Sequence, residues 1–267
     1  MLSPTLRSLT FILFILYAIL GIILFFNPTW AATNFAWKIS PFVAMTIGGW
    51  CLGNAFFALK IFQHWKWSIV YTSLAYLWAF GIYELIVILI FRQRLIFSTP
   101  LSLLYITTLI LNDFYSILGI IKLVKHHQKI SPEGLPITHW IRTASVILTM
   151  FVGFLALGAL TSPSKNSITD GQFFPEVLSL FTLRAFGAFY LSLFSAGITV
   201  IRIRGFAPLA MFLKGGLALS VPITLAPFFH FQLKAITEKP GMIFYILAYV
   251  VIFFAVPALL LFYRQKK

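Results

Sequence analysis

Residues 9–26 read LTFILFILYAILGIILFF, a stretch without one charged side chain. A bilayer core about 30 Å thick takes roughly 20 apolar residues per helical crossing, so this run reads as a transmembrane helix. Asn27-Pro28 ends it, because proline lacks the N–H that the next turn requires. Arg7 ahead of the run resembles the basic region of a secretory signal. The apolar run is longer than a signal's, however, and Asn27-Pro28-Thr29-Trp30 is a poor cleavage site, so an uncleaved first crossing is expected.

Outward from this stretch the pattern recurs to the end of the chain. Further crossings are expected at 41–62, 68–91, 100–124, 141–160, 175–201, 208–229 and 241–263. The expected fold class is therefore an all-α integral membrane protein of about eight transmembrane helices. Composition agrees: 60% of the 267 residues are hydrophobic and 10% charged, with a mean hydropathy of +0.96. Soluble domains carry about 25% charged residues. Too little polar sequence remains for a soluble domain, so residues 1–267 form a single membrane domain. Pro222 and Pro227 fall within the seventh crossing, where they bend the helix.

The net charge of +14 raises the question of nucleic acid. The basic residues stand at the ends of apolar stretches, where the positive-inside rule places them, and no dense basic stripe with interleaved aromatics occurs. No nucleic-acid partner is expected; the bilayer itself is the first partner, with a membrane-protein partner or self-association as the second. With the N-terminus inside, twelve Lys and Arg face the cytoplasm and six, Lys38, Arg92, Arg94, Lys165, Lys234 and Lys239, face outward. That asymmetry puts both termini on the cytoplasmic face of a cell membrane. Trp30 and Trp37 on one side, and Trp65, Trp67 and Trp140 on the other, read as interfacial belts.

The sequence from Pro41, PFVAMTIGGWCLGNAFFAL, resembles that from Pro175, PEVLSLFTLRAFGAFYLSL. At this register Pro41 meets Pro175, Gly53 meets Gly187 and Leu59 meets Leu193. The first and fifth crossings align as well, Arg7 with Arg142 and Ile12 with Ile147. The chain reads as two parallel four-helix repeats, 1–124 and 140–267, joined by a basic cytoplasmic linker 125–139. Four crossings per unit make both units enter from the same side, so the repeat axis runs along the membrane normal. Gly49, Gly53 and Gly187 mark the close helix packing expected between the halves.

Four ionisable residues fall well within crossings: Glu84, Asp113, Arg184 and Lys214. Each costs roughly 2.5–3.5 kcal/mol at mid-bilayer on insertion scales, so pairing is expected, and such residues are functional candidates by default. Depth along the helices matches Glu84 with Arg184 and Asp113 with Lys214, each pair joining the halves. Asn54 and Asn112 complete the candidate intramembrane polar site. The two readings of the four charges are ionic staples between the halves and a polar cavity that binds a cation, a proton or an anionic group.

Several chemistries find no residues. A single cysteine, Cys51, precludes an intramolecular disulfide or a CxxC motif. No GxSxG, HExxH or P-loop occurs, and His126 and His127 lie in a basic linker without nearby thiols or carboxylates. No catalytic residue, cofactor or metal is expected. The leading functional reading is a small carrier or channel with its polar site between the repeats. The alternative is a non-catalytic membrane scaffold or modulatory subunit, and an intramembrane lipid-modifying enzyme comes third.

Overall fold

The computed structural model describes residues 3–126, 132–162, 176, 178–231 and 240–264, and over these the chain is almost wholly helical. The long helices are α1 (Pro4–Phe26), α3 (Pro41–Gln63), α4 (Trp67–Ile90), α5 (Pro100–His126), α6 (His139–Thr161), α7 (Leu180–Ile201), α8 (Phe206–His230) and α9 (Pro240–Arg264). A short helix, α2 (Pro28–Asn34), follows α1. Among the described residues seven helices, α1 and α3 to α8, are long and apolar enough to cross a membrane, and α9 is apolar over Tyr249–Tyr263. The protein is a multi-pass α-helical membrane protein.

Local chemistry sets the helix starts. Pro4, Pro41, Pro100 and Pro240 each open a helix, where the missing N–H has no partner to lose. Ser3, Ser40 and Ser179 cap α1, α3 and α7, each hydroxyl accepting from a backbone N–H three residues on. The sixth crossing, expected from Pro175, begins instead at Leu180 behind its Ser179 cap, and Pro175 lies outside the described residues. The register that matched Pro41 with Pro175 therefore does not align the two helix starts. The capping serine, a stronger local signal than the apolar pattern, decides the first turn.

Two helix pairs pack most intimately, α1 along α3 and α6 along α7. Across them α3 packs on α8 and α4 on α7, while α5 lies against α4 and α9 against α8. The seam between 1–124 and 140–267 is thus made by α3, α4, α7 and α8. Ring stacking and hydrogen bonds hold it, among them one from the Ser40 hydroxyl to the Glu176 carboxyl. Trp50 of α3 stacks on Phe189 of α7, with centroids 4.5 Å apart and planes 6° from parallel. Trp37 stacks on Phe181 at 4.3 Å and donates its indole N–H to Thr182 Oγ1 at 3.0 Å. Thr199 donates to Thr72 at 3.1 Å, and the hydroxyls of Tyr83 and Ser195 are 3.1 Å apart. Trp37 is accordingly buried within the protein, whereas Trp30 and Trp140 are exposed.

Glycines allow three of these contacts. A Cβ at Gly48 would stand 2.6 Å from the backbone nitrogen of Phe25 in α1, and one at Gly53 would stand 2.1 Å from Leu219 Cδ2 in α8. Gly49 faces Ile223 of α8, while Gly187 faces Leu160 of α6. Gly53 and Gly187, matched by sequence, therefore meet different neighbours. The part of the linker that is described docks on one end of the bundle. The Phe206 and Ala207 amides at the start of α8 donate to the Leu135 and Glu133 carbonyls at 2.8 and 3.0 Å, satisfying helix donors that have no partner within α8. Lys66 Nζ pairs with Glu133 Oε1 at 2.8 Å at the same end. Residues 127–131 of the linker lie outside the described residues.

Candidate functional site

The sequence of α4 carries one acid, Glu84, and packing turns it fully inward: its exposure is 1% and neither carboxyl oxygen has a hydrogen-bond partner among the described residues. It lies within electrostatic reach of Tyr17 from α1, Cys51 from α3, Tyr76 from α4 and Tyr105 from α5. All of these groups are buried. Two amides complete the cluster. Asn54 Oδ1 accepts from the Tyr76 hydroxyl at 2.7 Å. Asn112 Nδ2 donates to the Tyr17 hydroxyl at 2.9 Å and to the Leu77 carbonyl at 3.1 Å. The Tyr17 hydroxyl faces both amides.

The reach of Asn112 depends on Gly81. A Cβ there would stand 2.9 Å from the Asn112 Cγ and Nδ2 atoms, so a larger residue would displace the Asn112 amide. Around the acid, further polar atoms are left without partners: Asn54 Nδ2, Asn112 Oδ1 and the Tyr105 hydroxyl. In low dielectric each unpaired polar group costs free energy that a paired one does not. A set of such groups converging from α1, α3, α4 and α5 is an array of donors and acceptors around one carboxyl.

Of the residues singled out by sequence, Glu84, Asn54 and Asn112 come together, inside the first unit rather than across the seam. The others do not join them. Arg184 donates to the carbonyls of Ala159 at 2.6 Å and Ser162 at 2.7 Å, where it satisfies the C-terminal end of α6. Asp113, the neighbour of Asn112, is half-buried on α5, and Lys214 is exposed on α8 beside a cavity of about 380 Å³ that also meets Gly134, Phe206 and Tyr263. Neither expected ion pair forms. Depth gave the heights of these charges but not the directions in which they point: Arg184 turns to α6, and α5 has no substantial packing with α8.

The tyrosines and Cys51 were missed by sequence reasoning. Tyr17 carried a signal, since a tyrosine deep within an apolar crossing must find a partner for its hydroxyl away from the interfaces that tyrosine favours. Among the described residues no group of three or more His, Cys, Asp and Glu stands close enough to hold a metal. Compared with protein-family models, curated proteins and solved structures, the chain matches none.

Proposed function

We propose that this protein is a small multi-pass carrier of two parallel four-helix repeats, in which Glu84 takes up a proton or a monovalent cation within the first unit. The observation that carries the functional reading is Glu84 itself, a fully buried carboxyl without an internal partner among amides and phenols. An acid in a membrane interior is retained where it does work, because an unneutralised charge is costly there. The groups around it offer oxygen ligands or hydrogen bonds, but no basic side chain that would cancel it permanently.

Four observations support the repeat. Ser40 and Ser179 cap α3 and α7 in the same way. Counted from the helix starts, Gly48 and Gly187 hold the same place, and so do the residues they face, Phe25 in α1 and Leu160 in α6. The cross-seam packing is reciprocal, α3 on α8 and α4 on α7. Trp50 and Phe189 also hold one place in α3 and α7, and they stack on each other, as equivalent residues do on a twofold axis. On this reading both units enter the bilayer from the same face, and the Lys and Arg asymmetry places both termini in the cytoplasm.

The test is ion movement in vesicles containing the purified full chain. A potassium diffusion potential drives the flux, and an internal pH-sensitive or sodium-sensitive dye reads it. Flux of one ion is expected above that of protein-free vesicles, and Glu84→Gln is expected to abolish it. Vesicles that move neither ion, or a Glu84→Gln variant that moves it as fast as the unsubstituted chain, would overturn the proposal.

A further inference from the structure

The second unit encloses a space of opposite chemistry. Helices α6, α7, α8 and α9 surround a cavity of about 110 Å³. At mid-height its wall includes Val152, Leu193, Ile223 and Ile252. Counted from the helix starts, these hold the places that Tyr17, Asn54, Glu84 and Asn112 hold in α1, α3, α4 and α5. That equivalence rests on the repeat proposed above; the cavity does not. The few hydroxyls in the wall are already engaged. Ser145, Thr149 and Ser220 donate to carbonyls of their own helices at 2.8, 2.7 and 3.3 Å, and the Tyr249 hydroxyl lies 3.0 Å from that of Tyr190. A polar solute would find little to bind, whereas a hydrocarbon gains dispersion contacts at no desolvation cost.

The cavity also has a side that is not closed. In the first unit α1 packs on α5, but the corresponding α6 and α9 have no substantial packing among the described residues. They meet at one end, where the rings of Trp140 and Phe262 are 6.1 Å apart. Beside the gap, Met150 of α6 and Val251 and Phe254 of α9 are exposed apolar residues. In a membrane-spanning protein such a surface faces lipid tails. Gly216, in the cavity wall, has open space where its Cβ would be, with no atom within 4 Å.

We propose that this cavity takes the end of one hydrocarbon chain of a membrane lipid, entering sideways between α6 and α9. The volume suits only the last few carbons of one slender chain, being smaller than the dry apolar cavity of about 150 Å³ that holds a benzene ring.

The experiment uses the full chain in phosphatidylcholine vesicles, with a photoreactive diazirine on one acyl chain of the lipid. Illumination is followed by peptide mapping. Adducts are expected on Val152, Leu193 and Ile252 as well as on the outward faces of α6 and α9. Gly216→Leu adds a side chain where a Cβ would meet no atom within 4 Å, so the interior adducts should be lost while the outward ones persist, which also reports that the variant is folded. Labelling confined to the outward faces, interior labelling unchanged in Gly216→Leu, or interior labelling by a photoreactive free fatty acid alone would overturn the proposal. Glu84→Gln should leave the interior labelling intact, so failure of the ion-carrier reading and failure of the lipid site are separately visible.

Discussion

The interior of the first unit is polar and closed, and that of the second is apolar and open to one side. In α1, α3, α4 and α5 the space between helices is filled by Tyr17, Asn54, Tyr76, Asn112 and the unpartnered Glu84. In α6 to α9 it is lined by Val152, Leu193, Ile223 and Ile252 around a cavity. Similar helix lengths and reciprocal packing thus support two different interiors. The lesson is that helix placement in this molecule is set by caps, glycines and aromatic stacks, which leaves the residues at mid-height free to differ. One unit keeps an ionisable carboxyl at an energetic cost, and the other has none to keep.

Exchanging the residues that differ is the most direct way to break this comparison. Ile223→Glu would put a carboxyl into the apolar unit without the surrounding amides and phenols. It should cost about 3 kcal/mol, the insertion penalty of an unpaired charge, read as a lowered thermal midpoint in detergent. If it costs nothing, the second interior is as able to hold an acid as the first. The next effect separates two glycines at one place in their helices. Gly48→Ala would press a Cβ against α1 backbone, whereas Gly187→Ala meets the flexible end of Leu160 first. The former should lose about 2 kcal/mol, within the usual range for overpacking, and the latter clearly less. Equal losses would mean that the two contacts are not built as described.

Glu84→Ile should raise stability by about 1 kcal/mol while abolishing ion flux, because a buried polar group without a partner costs free energy that a hydrophobic side chain does not. A destabilised variant would indicate that the carboxyl is held by favourable interactions instead. The smallest effect is expected from Lys214→Gln, which should lie within about 0.5 kcal/mol of the unsubstituted chain, as exposed positions usually do. A loss well beyond that would revive a role for Lys214 in joining the halves. The charge swap Glu84→Arg with Arg184→Glu should likewise show no rescue over either single change, since the two side chains are not partners.

Much of the helical layout was legible before any coordinates. Pro41, Pro100 and the Asn27-Pro28 break bound their helices as proline's missing donor requires. The start of α7 was not legible from Pro175, because an apolar pattern extends past any cap and only the Ser179 hydroxyl marks the first turn. Of the candidate site, Glu84, Asn54 and Asn112 stood out as polar groups in apolar runs, whereas Tyr17 and Tyr76 were hidden by their apolar rings.

By itself, then, the amino-acid order determined the solvent, the helical class and the approximate extent of most crossings, since hydrocarbon admits few backbones other than ones that satisfy their own N–H and C=O groups. Tertiary packing alone decided which polar side chains meet. In a soluble helix the apolar stripe marks the inner face, but here lipid-facing and protein-facing sides are both apolar, so the sequence carries height along a helix and little about direction around it. That is why Arg184, at a depth suited to Glu84, caps α6 instead, and why the carboxyl lies among tyrosines and amides of its own unit.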